Sequence, residues 1–352
     1  MYNIRIIKKQ LHFKQPAGTS RGVYTTRDLW YIVLTDTDRP GRYGVGECAP
    51  LPQLSQELGP TYEQLLDESC RKLTEEGKLD HAWLAPLPSI RFGLETALLH
   101  PEAGNLCFWQ TPFSQGAAGI PINGLIWMGD FDTMRRRIDE KLEKGFRCIK
   151  LKIGAIGFDQ ELELLDYIRR RAAPEQVELR VDANGAFTPE EAPEKLERLA
   201  RYRLHSIEQP IRAGQWKEMG RLCRHTPLPV ALDEELIGVN LYHEKMELLD
   251  TVRPQHIVLK PSLHGGIQGC KEWIGLAEER GIGWWVTSAL ESNIGLHSIA
   301  QWCATLQTVR TQGLGTGLLF TDNVDYPLHI QGDCLYFQPE MPAPDLLNWL
   351  EA

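Results

Sequence analysis

Apolar and polar positions alternate with a strand-like period over the first part of the chain and then take helical spacing. Strands are predicted over residues 2–13, 29–35 and 43–47, and helices over residues 61–76 and 89–99. Residues 14–27, which contain Gly, Ser and Thr, are predicted to be a loop between the first two strands. Strands followed by helices are typical of an α+β unit, predicted here over residues 1–110.

From residue 120 the pattern changes to short β-branched runs separated by amphipathic segments. Strands are predicted over residues 121–125, 148–152, 178–182, 206–208, 230–233, 256–260, 284–288 and 317–320. Helices are predicted over residues 159–171, 188–201, 215–225, 241–249, 267–280 and 291–306. This alternation indicates an α/β barrel over residues 111–330, with a doubly wound open sheet as the alternative. A C-terminal segment, residues 331–352, can pack back on the first unit.

Composition narrows the class of protein. The 352 residues are 42% hydrophobic and 24% charged, which excludes wholesale disorder. A formal net charge of −9 argues against binding nucleic acid through its phosphates. The eight cysteines form no CxxC pair, the N-terminus lacks the apolar core of a signal peptide, and no run of 18 apolar residues occurs. We therefore expect reduced thiols, a cytoplasmic location and no membrane partner.

Charged residues end five of the predicted barrel strands at intervals of 25 to 30 residues: Lys152, Asp182, Glu208, Asp233 and Lys260. One βα repeat has about that length, so all five are expected at the C-terminal face of the barrel, where barrel enzymes have their active sites. A single such charge is more often a solvated strand end, and Lys150 and Lys152 can simply form ion pairs with nearby acids. Glu234 and Glu235 can likewise be a surface acidic run. Regular spacing over five strands favours an active site.

The three carboxylates would repel one another at a common point unless a cation joined them. Mg²⁺ suits three carboxylate oxygens completed by water or substrate oxygens, with Mn²⁺ as a substitute. Lys152 and Lys260 would flank that ion, and a nearby cation lowers the pKa of a lysine towards that of a usable base. Such a site can remove a proton α to a carboxylate and stabilise the resulting anion.

The motifs around these residues resemble those of the enolase superfamily, in its muconate-lactonising-enzyme subgroup. They are KLK (150–152), VDANG (181–185), IEQP (207–210), LDE (232–234), LKP (259–261) and, in the first unit, GVGE (44–47). The resemblance covers nearly the whole chain. It implies a (β/α)7β modified TIM barrel closed by an N-terminal α+β capping domain, with Mg²⁺ between them.

Two segments near the last strands, VTSALESNIGL (286–296) and QGLGT (312–316), resemble the o-succinylbenzoate synthases of that subgroup. The implied reaction is a hydro-lyase step of menaquinone biosynthesis, the dehydration of 2-succinyl-6-hydroxy-2,4-cyclohexadiene-1-carboxylate to 2-succinylbenzoate. N-succinylamino acid racemase and dipeptide epimerase are the alternatives within the superfamily. A catalytically silent binding protein is disfavoured because all five charged positions are present.

The resemblance also implies a role for each residue. The implied Mg²⁺ ligands are Asp182, Glu208 and Asp233. Lys152 would abstract the proton and then protonate the departing hydroxide, Lys260 would stabilise the anion, and Lys150 would depress the pKa of Lys152 by its like charge.

The substrate contacts are less sharply defined. The residues implied to hold the succinyl carboxylate are Thr287, Ser288, Gly313 and Gly315. Residues 14–27 are expected to fold over the barrel mouth as a lid and to contact the substrate through Arg21 or Arg27, with an ordinary hairpin loop as the alternative. The expected partner is a small-molecule carboxylate, bound by a monomer or a homo-oligomer.

Overall fold

The computed structural model describes residues 2–19, 22–306, 308, 310–317 and 319–352. Its strands are β1 (Tyr2–Thr19), β2 (Gly22–Asp36), β3 (Tyr43–Cys48), β4 (Ile120–Pro121), β5 (Gly124–Ile126), β6 (Cys148–Lys152), β7 (Glu178–Asp182), β8 (Ser206–Glu208), β9 (Val230–Leu232), β10 (His256–Leu259), β11 (Gly283–Val286), β12 (Leu328–Gln331) and β13 (Cys334–Phe337). Its helices are α1 (Tyr62–Glu76), α2 (His81–Leu84), α3 (Pro88–Ala103), α4 (Phe131–Glu143), α5 (Phe158–Arg171), α6 (Ala192–Ala200), α7 (Trp216–His225), α8 (Tyr242–Val252), α9 (Gly266–Glu279), α10 (Asn293–Cys303) and α11 (Leu346–Glu351).

The N-terminal unit is an antiparallel β1-β2-β3 sheet covered by helices. Residues 30, 32 and 34 of β2 pack on α1 and α3, as their period-two spacing predicts. Two glycines of β3 allow close contact with α3: a Cβ at Gly44 would lie 2.0 Å from the carbonyl oxygen of Ala97, and one at Gly46 would lie 1.8 Å from that of Gly93. The first part of the GVGE motif therefore serves packing.

The loop predicted over residues 14–27 is wrong for residues 14–19 and 22–27, which belong to the antiparallel strands β1 and β2; residues 20 and 21 lie outside the described residues. Ala17 pairs with Tyr24 after a register shift in β1 that begins at His12. The barrel part of the chain supports the hairpin, since Lys14 donates a backbone hydrogen bond to Leu319 (2.8 Å). Contacts between residues so far apart in sequence could not be read from local composition.

The C-terminal unit is built on a parallel sheet, in the order β5-β6-β7-β8-β9-β10-β11 within the described residues. Each strand precedes a helix, α4 to α10. Gln312 and Gly313 join the two edges of the sheet: Gln312 N–H donates to Pro121 O (2.9 Å), and Gly313 N–H donates to Val286 O (2.8 Å). The curled sheet is therefore that of a TIM-like barrel.

The strand predicted over residues 317–320 is wrong. Among the described residues of that range, Phe320 forms only an isolated bridge, and its partner is Phe13 of the hairpin. The place expected for a last strand is taken by Gln312 and Gly313, which form isolated parallel bridges with Ile122 and Thr287. A glycine-rich segment has few side chains with which to signal a strand, so its period could not show this pairing.

The C-terminal residues contact both units. β12 and β13 form a small sheet with β4, and the predicted boundary between residues 330 and 331 lies inside β12. Beyond it, Trp349 of α11 lies on the first unit: its carbonyl oxygen accepts from Lys9 Nζ (2.9 Å), and its ring meets Tyr31 edge-on. The division into residues 1–110, 111–330 and 331–352 stays a prediction.

Two further features are the length of the helices and the state of the cysteines. None of the helices in the described part of the chain is long and apolar enough to cross a membrane. All eight cysteines are free thiols, and most of them are buried. Buried thiols act as small apolar side chains, so these cysteines contribute to packing.

One buried carboxylate joins the two units. Glu47, the last residue of the GVGE motif, accepts backbone hydrogen bonds from Ser292 and Gly295 (both 2.9 Å) and another from the Ser292 hydroxyl. These donors lie at the start of α10, where backbone N–H groups have no partner within the helix. Burial raises the pKa of Glu47 to about 7, although the hydrogen bonds from Ser292 oppose this shift.

We expect Glu47 to make the free energy of unfolding fall as pH rises between about 4.5 and about 7. The folded protein keeps the proton on Glu47 up to about pH 7, whereas the unfolded chain releases it near the ordinary value of 4.5. Denaturant unfolding across this range should show a flatter pH dependence for Glu47→Gln, by an amount on the order of 3 kcal/mol. Glu351→Gln, which removes an exposed carboxylate, is the control. An equal slope in Glu47→Gln and wild type would contradict the assignment.

Candidate active site

The structure brings the five strand-end charges together at one end of the parallel sheet. Lys152 and Asp182 are register partners at the ends of β6 and β7, and Glu208 pairs with Asp182 from the end of β8. Asp233 follows β9, and Lys260 follows β10. The three carboxylates are buried, while the side chains of both lysines line a cavity of about 700 Å³.

Ion pairs link these groups. Lys150 Nζ lies 2.6 Å from Glu208 Oε1 and 2.9 Å from Asp182 Oδ2. Lys152 Nζ lies 2.5 Å from the same Asp182 oxygen, and Lys260 Nζ contacts Asp233 Oδ2. The period-two prediction that Lys150 and Lys152 lie on one side of their strand is confirmed. The alternative prediction, that Lys150 and Lys152 form ion pairs with nearby acids, is also confirmed.

Burial and neighbouring charge shift the pKa values in opposite directions. Burial and the carboxylate of Asp182 raise the pKa of Glu208 well above its ordinary value. Burial acts in the same sense on Asp182, but the charges of Lys150 and Lys152 outweigh it and hold the pKa of Asp182 below its usual range. The lysine charges thus stabilise the ionised form of Asp182 more than that of Glu208. A further cation would stabilise Glu208 most.

The residues fit a divalent cation in their chemistry but are not spaced as a finished ligand set. Among the residues that the structure describes, no three His, Cys, Asp or Glu side chains are spaced to hold a metal ion. Asp233 Oδ1, however, is buried and has no hydrogen-bond partner among the described residues. A buried carboxylate oxygen without a partner is costly, and a cation would satisfy it. Binding would require the lysine ammonium groups to give up their present contacts.

Two polar residues of the site were not predicted from the sequence as site residues. Asn184 accepts from Lys152 Nζ (2.8 Å) and donates to Glu234 Oε1 (3.0 Å), so it connects a lysine with a cavity-lining acid. The interpretation of Glu234 and Glu235 as a surface run is wrong, since both are buried. Asn184 has φ 44°, a left-handed conformation that asparagine tolerates, and its place in the VDANG motif was the available signal.

The residues expected to hold the succinyl end also line the cavity: Thr287, Ser288, Gly313 and Gly315. The Thr287 hydroxyl donates to Gly313 O (2.9 Å), and the Ser288 hydroxyl lies 2.5 Å from that of Thr316. Hydrogen bonds between their own polar groups therefore join residues 287–288 to residues 313–316. Part of the remaining lining is apolar, with Leu51 and Leu54 of the first unit on one wall.

The segment that was predicted to be a lid holds two arginines, of which the structure describes one. Arg21 lies outside the described residues. Arg27 does not line the cavity: it is buried, and its guanidinium donates to the backbone carbonyl oxygens of Ala49, Pro50 and Ala289. Tyr24 is the hairpin residue that does line the cavity. The expectation that Arg27 contacts the substrate is thus wrong, because its side chain does not line the cavity and its Nη1 and Nη2 atoms already donate to backbone carbonyl oxygens.

Comparison with known families and proteins agrees over most of the chain. The family described as "Enolase C-terminal domain-like" matches residues 133–340, and the family described as "MenC, N-terminal domain" matches residues 4–100. An o-succinylbenzoate synthase of Desulfotalea psychrophila is 45% identical over 361 residues, covering 93% of this chain and 97% of the relative. One from Geobacillus kaustophilus is 28% identical over 306 residues, covering 83% and 78%.

Solved structures give the same fold. The crystal structure of MenC from Desulfotalea psychrophila superposes with a TM-score of 0.79 at 40% identity, covering 95% of this chain and 99% of that one. A dipeptide epimerase from Enterococcus faecalis, complexed with Mg and the dipeptide L-Leu-L-Tyr, has a TM-score of 0.80. At 17% identity, with coverage of 95% and 96%, it is evidence for the fold alone.

We expect Gly313→Ala to lower stability more than Gly315→Ala. A Cβ at Gly313 would lie 2.2 Å from Thr287 Oγ1 and 2.6 Å from Thr287 Cβ, so rotation of the hydroxyl cannot relieve the overlap. At Gly315 the nearest atom would be 3.6 Å away, an ordinary contact. Denaturant unfolding should show a loss of about 1–3 kcal/mol for the first variant and of less than about 0.5 kcal/mol for the second. Equal stabilities would contradict this packing.

Proposed function

This chain belongs to the o-succinylbenzoate synthases of the enolase superfamily, and we propose that its strand-end lysines and carboxylates carry out the dehydration catalysed by that group. The reaction is a hydro-lyase step, in which 2-succinyl-6-hydroxy-2,4-cyclohexadiene-1-carboxylate loses water and becomes aromatic 2-succinylbenzoate. The observation that carries the assignment of residues is the convergence of charges from β6–β10 on one cavity.

The barrel is inferred to be of the (β/α)7β type. The support is the alternation of β5–β11 with α4–α10, followed by Gln312–Gly313 in the eighth position. In this arrangement the capping unit lies over the carboxyl ends of the strands and contributes Tyr24, Leu51 and Leu54 to the cavity wall. The free thiols accord with a cytoplasmic enzyme.

Asp182, Glu208 and Asp233 are the residues that would hold Mg²⁺, with Mn²⁺ as a substitute. The unpartnered Asp233 oxygen and the raised pKa of Glu208 support this assignment. When bound, the ion supplies positive charge that stabilises the anion formed when the substrate loses its proton.

Lys152 is the proposed base. Its Nζ lies at the cavity wall between Asp182 and Asn184, so its amine has a fixed direction. Lys152 takes the proton α to the ring carboxylate; the C–O bond on the same face then breaks, and Lys152 returns the proton to the departing hydroxide, which leaves as water. The electrons of the C–H bond complete the aromatic ring. One lysine thus acts twice in a syn elimination.

The other two lysines contribute charge. Lys260, held by Asp233 on the opposite side of the cavity, stabilises the anionic intermediate. Lys150, paired with Glu208 on the strand of Lys152, is proposed to depress the pKa of that base by its like charge. The succinyl carboxylate is assigned to Thr287, Ser288 and the backbone at Gly313 and Gly315, with Arg21 as a further proposed contact.

Replacement of a metal ligand should remove both ion binding and activity. Asp182→Asn, Glu208→Gln and Asp233→Asn each delete one carboxylate charge, so we expect Mg²⁺ affinity in calorimetry to fall and turnover to drop by more than about 100-fold. Asp132→Asn, which changes an exposed carboxylate in α4, should behave as wild type. Full turnover by EDTA-treated wild type would overturn the metal assignment.

The lysine roles predict unequal losses. Lys152→Ala should abolish dehydration, with a loss of at least the ~10²–10⁴-fold expected for a positioned general base. Lys260→Arg keeps the charge and should retain more activity than Lys260→Ala. Absorbance change on aromatisation of the cyclohexadiene substrate measures all three rates, with Lys217→Ala, an exposed position in α7, as the control. Equal and mild losses at both positions would show that neither lysine is the base.

A further inference from the structure

A buried arginine connects the two walls of the cavity without lining it. Arg27, near the base of the β1–β2 hairpin, is only 2% exposed. Its Nη1 donates to Pro50 O (2.8 Å), and its Nη2 donates to Ala49 O (2.9 Å) and Ala289 O (3.2 Å). Ala49 and Pro50 follow β3 in the first unit, whereas Ala289 follows β11 in the barrel. One guanidinium therefore bridges two units through backbone groups.

The barrel segment that it contacts is under backbone strain. Leu290, next to Ala289, has φ 64°, in the left-handed region that residues other than glycine rarely adopt. Local preference alone therefore does not hold this segment in its shape. Residues 287–290 all line the cavity, so their conformation determines the wall assigned above to the succinyl group.

Ala289 is fixed at both of its backbone polar groups. Its N–H donates to Glu291 Oε2 (2.6 Å), while its carbonyl oxygen accepts from Arg27. The other Glu291 oxygen accepts from the Ser262 hydroxyl (2.6 Å), which anchors this carboxylate to the segment after β10. The strained segment is therefore held from two directions by buried side chains.

Two buried acids lie close to the Arg27 guanidinium. Arg27, Glu47 and Glu291 are all buried. Burial lowers the pKa of Arg27, and the carboxylates of Glu291 and Glu47 oppose that shift, so both acids stabilise the guanidinium in place. On the side of the first unit, Ala49 and Pro50 lead directly to Leu51, which lines the cavity together with Leu54. Arg27 thus supports an apolar wall as well as the polar one.

We propose that Arg27 is a positioning residue for substrate binding, which fixes residues 49–54 of the capping unit against residues 287–290 of the barrel. The proposal rests on the proposed function for the identity of the ligand, a dicarboxylate with a succinyl arm. Among the described residues, the hydrogen bonds of Arg27 go to Ala49, Pro50 and Ala289, and not to the catalytic lysines or the three carboxylates. Its loss should therefore weaken binding and leave the chemical step largely intact.

The test compares KM and kcat for wild type, Arg27→Lys and Arg27→Met. Lysine keeps the charge but lacks the planar guanidinium whose two terminal nitrogens bond to three carbonyl oxygens. Methionine has no hydrogen-bond donor. We expect KM to rise at least 10-fold in Arg27→Met and by an intermediate factor in Arg27→Lys, with kcat within about 3-fold of wild type in both. Arg39→Met, which alters an arginine near the surface end of β2, is the control.

A second measurement does not depend on turnover. Hydrogen exchange of residues 287–292, followed by mass spectrometry, should be faster in both Arg27 variants than in wild type and in Arg39→Met. If Arg27→Met does not fold, Arg27→Lys decides. An unchanged KM, a loss confined to kcat, or unchanged exchange in a folded variant would overturn the proposal. Faster exchange in a protein whose wild type turns over no substrate would support the positioning role and refute the proposed function.

Discussion

The burial of like-charged carboxylates at one end of the barrel is the constraint on which the site depends. Asp182, Glu208 and Asp233 end neighbouring strands and are almost fully removed from solvent, so each needs positive charge within a few ångströms. Lysines on β6 and after β10 supply part of that charge. Because the parallel sheet fixes the spacing of the strand ends, the same geometry that creates the repulsion also provides its compensation. Stability and reactivity therefore depend on one cluster.

The capping unit is held by a different kind of interaction. Besides an exposed contact between His12 and Asp322, it uses buried side chains that bond to backbone groups of the barrel: Glu47 at the start of α10 and Arg27 at the segment after β11. Backbone partners are fixed by the fold, so these contacts define the relative position of the units more closely than two flexible charged side chains would. The cavity between them consequently has walls from both units.

The sequence was sufficient where the signal was local or periodic, and insufficient where distant partners decide the structure. The charges after β6–β10 could be predicted because one charged residue ends each apolar run at the length of one repeat. The pairing of β1 with β2 beyond residue 13 could not, because its support comes from Leu319 and Phe320. Nor could the burial of Glu234, since the Asn184 amide that receives it comes from another strand end. The ends of the barrel strands can be predicted from the repeat length of the βα units. Pairings between segments that are far apart in sequence can be seen only in the three-dimensional structure.

The position of Trp349 on the first unit has a consequence for synthesis on the ribosome. Strands β1–β3 are translated before the barrel, yet the surface formed by Lys9 and Tyr31 receives Trp349 only after the barrel strands have been made. The hairpin likewise waits for Phe320. Although domains commonly fold in the order in which they emerge, the nascent N-terminal sheet must remain incomplete until the barrel exists. Until then, the faces of this sheet that Trp349 and Phe320 cover in the folded protein are exposed to solvent.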